Sequence, residues 1–524
     1  MEKNKVYVLD STLRDGAQAE GICFSVCDKL RIVKLLDNLG VHYIEAGNPS
    51  SNPKDMEFFR KVKELELKSS KLSAFGSTRK KDTLVQEDLG LKALLSAETP
   101  VVVIFGKSWD FHVKEIIKTT LEENLKMIEE SVAFLKSKGK EVIFDAEHFF
   151  DGFRSNEEYA LECLRSAKRG GADFICLCET NGGAFPDEVY NVTKRVVEEI
   201  GDNIGIHTHN DTGMAVANSV MAVFAGARHI QGTLIGFGER CGNANLSSII
   251  ADLQLKKNYD ILKEEKLKTL TPACRELAEL SNLSLDKGMP FVGKSSFTHK
   301  AGMHIDGVNK SPESFEHVSP QSVGNERRFL MSEVAGRGTL LTKIRKFYPE
   351  LTKDSKIVSK IVDEIKELEH LGYQFEGADA SLELLVRRAM GDYEEAFQIE
   401  SFKTIAETRK DNLSTATVKV LARGKTEISA AEGDGPVNAL DIALRKALEG
   451  FFPELKGVCL SDYKVRILDG HSATKARTRV LIDTTDGKET WSTVGVSTDI
   501  IAASLNALVD ALSYKLIKTR GKNN

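Results

Sequence analysis

Through the first half of the chain, short β-branched runs alternate with stretches of helical periodicity. Strand-like runs fall at Val6–Asp10, His42–Gly47, Leu72–Ser77, Pro100–Gly106, Glu141–Glu147, Phe174–Glu179, Ile204–His209 and Ile230–Gly236. Between them lie amphipathic segments such as Asp28–Asn38, with Ile32, Leu35 and Leu36 on one face, and Leu121–Leu135, with Leu125, Ile128 and Val132. Strand–helix alternation implies parallel pairing through right-handed crossovers. Eight such units fit a closed barrel better than an open sheet, and the loop after the first strand lacks the glycine fingerprint of a doubly wound fold.

The pattern changes after Tyr259. Residues 260–285 read as helical, and 286–345 are irregular and rich in Gly, Ser, His and Lys. Ser355–Leu371 carries Ile357, Ile361, Ile365 and Leu368 at core spacing with Gly372 as a stop, and a second helix is expected near Ser381–Met390. From about Ile399, strand-like text returns at Val418–Ala422, Tyr463–Leu468 and Arg479–Asp483. The stretches beginning at Gly433 and Gly495 look alike, each reading as a glycine turn and a capping residue ahead of an Ala/Leu/Ile helix. The expected architecture is α/β: a (β/α)8 TIM barrel over 1–285, a small helical linker region over 286–398, and a C-terminal α+β domain over 399–524 with an internal repeat.

Composition narrows the class only slightly. Hydrophobic residues at 41% and charged residues at 28% describe a globular protein, and a formal net charge of −5 offers no basic excess for a phosphate backbone. Eight cysteines without a Cys-x-x-Cys pair make no disulfide framework. The N-terminus runs straight into strand text with no signal-like apolar region, and no long apolar run suggests a membrane span. Reduced thiols in a cytoplasmic protein are the expectation.

Candidate chemistry clusters at the expected C-terminal ends of the strands, where barrels of this kind place their active sites. Asp10 to Gln18 follows strand 1 and includes Arg14 and Asp15; Asp145 to His148 ends strand 5; Glu179 to Gly183 ends strand 6; His207 to Asp211 ends strand 7; Gly236 to Ala244 follows strand 8. His207 and His209, two apart on a strand, face the same side. With Asp15 they make a divalent-metal set that leaves positions open for substrate. Arg14 could stabilise charge developing on a carbonyl oxygen, or serve only as an ion pair. Glu147 could orient water or transfer a proton, or line the barrel as an ion pair. Thr180 could hydrogen-bond a substrate carboxylate, Gln18 is a further substrate-binding candidate, and Asn243 could assist a metal or a phosphate. Gly288–Ser295 matches the P-loop spacing, but no buried strand precedes it and Pro290 removes a donor, so nucleotide hydrolysis is not expected.

Leu13-Arg14-Asp15-Gly16, His207-Thr208-His209-Asn210-Asp211 and Gly238-Glu239-Arg240-Cys241-Gly242-Asn243-Ala244 resemble the motifs of the acyl-CoA Claisen-condensing synthases, the isopropylmalate, homocitrate and citramalate synthases. The resemblance covers nearly the whole chain. Thr298–Gly307 resembles their post-barrel signature, and the C-terminal repeat resembles their amino-acid-sensing regulatory domain. Ala74–Arg79, Glu179–Gly183, Gly324–Arg328 and Phe375–Ala380 look most like the citramalate-forming branch.

The resemblance implies that Asp15, His207 and His209, with Asn243 as a further ligand or close neighbour, hold a divalent cation (Mg, Mn, Co or Zn). It implies that pyruvate chelates the cation, that Arg14 polarises its keto oxygen, and that Thr180 holds its carboxylate. The enolate of acetyl-CoA then attacks the keto carbon, and water cleaves the thioester to give citramalate and CoA. Glu147 and His304 match residues of acid/base function. The resemblance further implies isoleucine as effector and a homodimer in which the post-barrel segment with His304 covers the partner's barrel mouth. The alternatives are the same reaction on 2-oxoisovalerate, a hydroxymethylglutaryl-CoA lyase-like cleavage, and a catalytically silent sensor. Two departures stand out: Phe315 replaces a tyrosine common in relatives, and Glu179 stands where many have aspartate.

Overall fold

The computed structural model of the chain describes residues 4–51, 53–330, 341, 344–345, 348–352, 355–406, 413–468 and 475–520. Part of the irregular segment expected at 286–345 lies outside the described residues. The chain forms two compact units, one of residues 1–297 and 318–327, the other of residues 298–317 and 328–524.

The first unit is a closed barrel of eight parallel strands: β1 (Tyr7–Asp10), β2 (Tyr43–Glu45), β3 (Lys71–Ser77), β4 (Val101–Lys107), β5 (Glu141–Glu147), β6 (Phe174–Glu179), β7 (Ile204–Thr208) and β8 (His229–Gly232). Closure is by β1 against β8, with Leu9 opposite Gln231. Helices join the strands, and their starts are written locally. Ser25 and Asp28 form a capping box at Val26–Leu39, which Gly40 ends in the left-handed conformation. Thr120 caps Leu121–Ser137. The main core lies between the strands' outward faces and these helices. The lumen is layered by strand alternation. Its floor is apolar, from Leu9, Tyr43, Val101, Val103, Ile143 and Phe174. One step further along the same inward face come Glu45, Asp145, Cys176 and His207.

Two strand expectations need correction. β8 ends at Gly232 rather than Gly236, because the chain there turns into a loop, with Gly236 N–H donating to Thr233 O. His209 lies beyond the end of β7 and is held by an isolated bridge to Asn243. Gly288–Ser295 runs through turns, with neither strand before nor helix after it.

In the second unit, short β9 (Thr298–His299) and β10 (Arg328–Phe329) pair in parallel. Helices Lys356–His370 and Asp379–Met390 share a small core through Val358, Ile361, Ile365, Leu382 and Leu385. Two antiparallel sheets follow: β11 (Phe397–Ala406), β12 (Ser414–Ala422) and β13 (Lys425–Gly433), then β14 (Cys459–Ile467), β15 (Thr478–Thr485) and β16 (Thr490–Ser497). Each sheet is followed by a helix, Pro436–Glu449 and Ile500–Arg520, so the internal repeat is a βββα unit used twice. The likeness extends to a register shift near the start of β11 and of β14. Ile500–Arg520 is long and apolar enough to cross a membrane, yet Leu505, Leu508, Leu512 and Leu516 are buried in the core shared by the two repeats.

Neither of the repeated glycines is a turn residue: Gly433 ends β13, where a Cβ would sit 2.6 Å from Ala439 N of the following helix. Gly495 lies inside β16, and a Cβ there would sit 2.0 Å from the Ala503 carbonyl oxygen of the following helix. The glycine permits close helix–sheet approach. Gly495→Ala is expected to destabilise the second unit by roughly 1–3 kcal/mol through overpacking; an unchanged thermal unfolding midpoint would contradict this.

Candidate active site

The turn after β1 places Arg14 and Asp15 at the lumen mouth, with Arg14 N–H and Gly16 N–H both donating to Ser11 O. Asp15 faces both imidazoles. Its Oδ2 is 3.6 Å from His207 Nε2 and 3.9 Å from His209 Nε2, and the three donor atoms lie within 4.8 Å of one another. These separations are long for hydrogen bonds and suit donors sharing one ion at bonds of about 2.0–2.2 Å. Asn243 donates from Nδ2 to Asp15 Oδ1 at 2.7 Å, while its Oδ1 and His209 Nδ1 are buried without a hydrogen-bond partner. Gly238 closes the site from the loop after β8. A Cβ there would sit 2.1 Å from Asn243 Nδ2, so a side chain has no room.

Electrostatics prepare these donors. Burial would raise the Asp15 carboxyl, but Arg14 and the two imidazoles outweigh it and hold the group well below the usual carboxylate range. Burial pushes the His207 imidazole down and that of His209 down to about 4, so both present neutral nitrogen. His207 Nδ1 lies 2.9 Å from Gln231 Oε1, and Gln231 Nε2 donates to Asp145 Oδ1 at 2.7 Å. With Nδ1 protonated toward Gln231, the Nε2 lone pair points to Asp15. One carboxylate, two neutral imidazoles and an unpaired amide oxygen fit a divalent cation with coordination positions left for substrate.

Arg14 is clamped. Its Nε donates to Glu45 Oε2 at 2.6 Å, its Nη1 to Asp15 Oδ2 at 2.7 Å, and its guanidinium lies 3.9 Å from the Phe75 ring centroid. Burial alone would lower its pKa, but Glu45, Asp15 and Asp145 keep it protonated. Arg14 is thus ion-paired and stands beside the metal-type cluster. Exposed Gln18 shares with Arg14, Phe75 and Asn48 a cavity of about 300 Å³.

The other candidates are less concentrated. Glu147 ends β5 as the ion-pair partner of Lys107. Thr180 Oγ1 accepts from His148 N–H at 2.9 Å, which leaves its O–H able to donate. Glu179 turns to its own loop, where Oε1 accepts from Gly183 N–H and Ala184 N–H. Asp211 pairs through both oxygens with Arg240, whose Nη2 also donates to Thr180 O, tying three strand-end loops together. His304 belongs to the second unit, on the helix Gly302–Lys310, exposed and stacked on Phe315 at 4.3 Å between centroids.

Sequence reasoning missed Glu45, Gln231 and Lys107. Glu45 obeys the strand-end rule already applied to its neighbours. Gln231 sits within β8 and gives no local signal, since its meaning depends on register with His207.

Comparison with known proteins agrees with this architecture. A family model described as HMGL-like matches residues 5–276, one described as homocitrate synthase post-HMGL domain-like matches 291–372, and one described as the LeuA allosteric (dimerisation) domain matches 376–516. The fold and site thus define an HMGL-like barrel protein with a LeuA-type C-terminal domain. Among curated relatives, the (R)-citramalate synthase of Aquifex aeolicus is 53% identical over 518 residues, 98% of each chain. Those of Geobacter sulfurreducens (98% of each chain) and Synechocystis sp. (98% of this chain, 97% of the relative) are 48% and 47% identical. The chain belongs to the (R)-citramalate synthase family.

Proposed function

We propose that the protein condenses acetyl-CoA with pyruvate and hydrolyses the thioester, giving citramalate and CoA. The full-length likeness to (R)-citramalate synthases supports the substrates. The observation carrying the chemistry is the convergence of Asp15, His207 and His209 beside a clamped Arg14. Asp15, His207, His209 and Asn243 would hold a divalent cation, which when bound supplies Lewis acidity to the 2-oxo acid.

Arg14 faces the charge that develops on the keto oxygen as the new carbon–carbon bond forms. The Thr180 hydroxyl donates to the pyruvate carboxylate, and Gln18 lines the adjoining cavity on the acyl donor's side. Glu147, paired with Lys107, and His304 are the proton-transfer groups. One methyl proton leaves acetyl-CoA, the keto oxygen gains one, and water splits the citramalyl thioester. Residues 286–398 act as a linker region contributing to the active site. The C-terminal domain over 399–524 supports a homodimer and binds isoleucine as effector, and the protein works in the cytoplasm.

The test is CoA release across a panel of 2-oxo acids, with and without a chelator. Pyruvate should give the highest kcat/KM, and activity should vanish with chelator and return with added cation. A clear preference for 2-oxoisovalerate would overturn the substrate. Gln231→Leu is expected to weaken cation affinity about 10–100-fold by freeing the His207 ring; calorimetry showing undiminished affinity would remove Gln231 from that role.

A further inference from the structure

Beneath the site just described, two thiols and a carboxylate converge without a role in the reaction. Cys176 and Cys178 are two residues apart on β6 and face the lumen, and Asp145 on β5 is the register partner of Cys176. Their sulfur and oxygen atoms lie within 4.8 Å of one another, and all three residues are buried. Cys178 Sγ lies 3.9 Å from the Cys176 carbonyl and is hydrogen-bonded with the Cys176 thiol. Among the described residues, the only metal-type groupings of His, Cys, Asp and Glu are this one and the Asp15 cluster.

We propose that Asp145, Cys176 and Cys178 form a second cation site, selective for thiophilic divalent ions such as zinc or cadmium. Two sulfurs and one carboxylate oxygen favour such ions over magnesium or calcium, whereas the Asp15 cluster has only oxygen and nitrogen donors. Binding replaces the two thiol S–H bonds by metal–sulfur bonds and displaces the proton that burial favours on Asp145, whose carboxyl is pushed up to about 8. Two protons thus leave from the thiols and up to one more from the carboxyl, so affinity rises with pH. Burial and the Glu45 and Asp15 carboxylates hold the Asp145 carboxyl up, and the Arg14 charge beside it works the other way, toward offsetting the negative charge of two thiolates and a carboxylate around a divalent ion. Occupancy also reaches the first site. Asp145 Oδ1 accepts from Gln231, and Gln231 orients His207. An ion drawing on the same carboxylate loosens that chain, so the second site is inhibitory. Its existence does not depend on which 2-oxo acid the protein uses.

The test uses full-length protein in which the exposed Cys23, Cys27, Cys241 and Cys459 are replaced by serine. With magnesium saturating, cadmium is titrated and the ultraviolet thiolate-to-cadmium charge-transfer band is followed together with proton release. One ion per chain is expected, with two protons from the thiols and up to a third from Asp145, and the band should be lost in the added Cys176→Ser/Cys178→Ser variant. Asp145→Asn keeps both thiols and an acceptor for Gln231, so it guards against a folding defect; it should bind cadmium at least roughly tenfold more weakly. Absence of the band in the four-serine protein, its survival without Cys176 and Cys178, or unchanged affinity in Asp145→Asn would each overturn the site.

Discussion

Asp15→Asn is expected to lower turnover by about 10³-fold, roughly 4 kcal/mol of barrel-mouth electrostatics. The substitution keeps the side chain's shape and removes its charge. That charge faces both imidazoles, receives Asn243, and balances Arg14. Its loss should weaken cation binding and leave the guanidinium drawn toward Glu45 alone. The control is His207→Ala, which removes one donor but leaves the Arg14–Asp15 and Arg14–Glu45 pairs. Both variants should lose cation affinity by calorimetry, and Asp15→Asn should lose at least as much turnover. Turnover within tenfold of the parent in Asp15→Asn would remove Asp15 from the centre of the mechanism.

The second large effect lies at the opposite end of the lumen. His229 is fully buried between Phe174 and Tyr43, with ring centroids 4.9 and 5.5 Å away, and neither ring nitrogen has a hydrogen-bond partner. Burial, reinforced by His42, pushes its pKa down to about 3. Its folded value thus lies below the unfolded value of about 6.5. The unfolded chain takes up the proton first, so the stability is complete above pH 6.5 and drains away as pH falls toward 3. The full loss is about 5 kcal/mol. His42, pushed down to about 4 by burial, adds in the same direction. His229→Phe should flatten the decline, because a phenyl ring suits that aromatic floor and cannot charge. Thermal unfolding midpoints from pH 7 to 4 decide this, and parallel curves for the two proteins would refute it.

Much of the catalytic unit was legible in the order of residues. β-branched runs gave all eight strands, because a barrel strand buried on both faces needs an apolar core. The polar breaks at their C-terminal ends marked the mouth. His207 and His209 did converge, although His209 lies past the strand and keeps its place through Asn243 rather than through the period-two rule. Contacts that depend on register were hidden. Gln231 looks like any strand glutamine until β7 is laid beside β8, and Cys176 and Cys178 look like ordinary buried thiols until β5 brings Asp145 alongside. The second repeat's glycine was misread for a similar reason: closeness of a helix to a sheet leaves no trace in local composition.

The grip on Arg14 bears on where disorder is removed. A long side chain held by two carboxylates and an aromatic face has little rotamer freedom left before any ligand arrives. The loss of freedom falls once, when the chain folds, and each arriving substrate meets a cation already aimed.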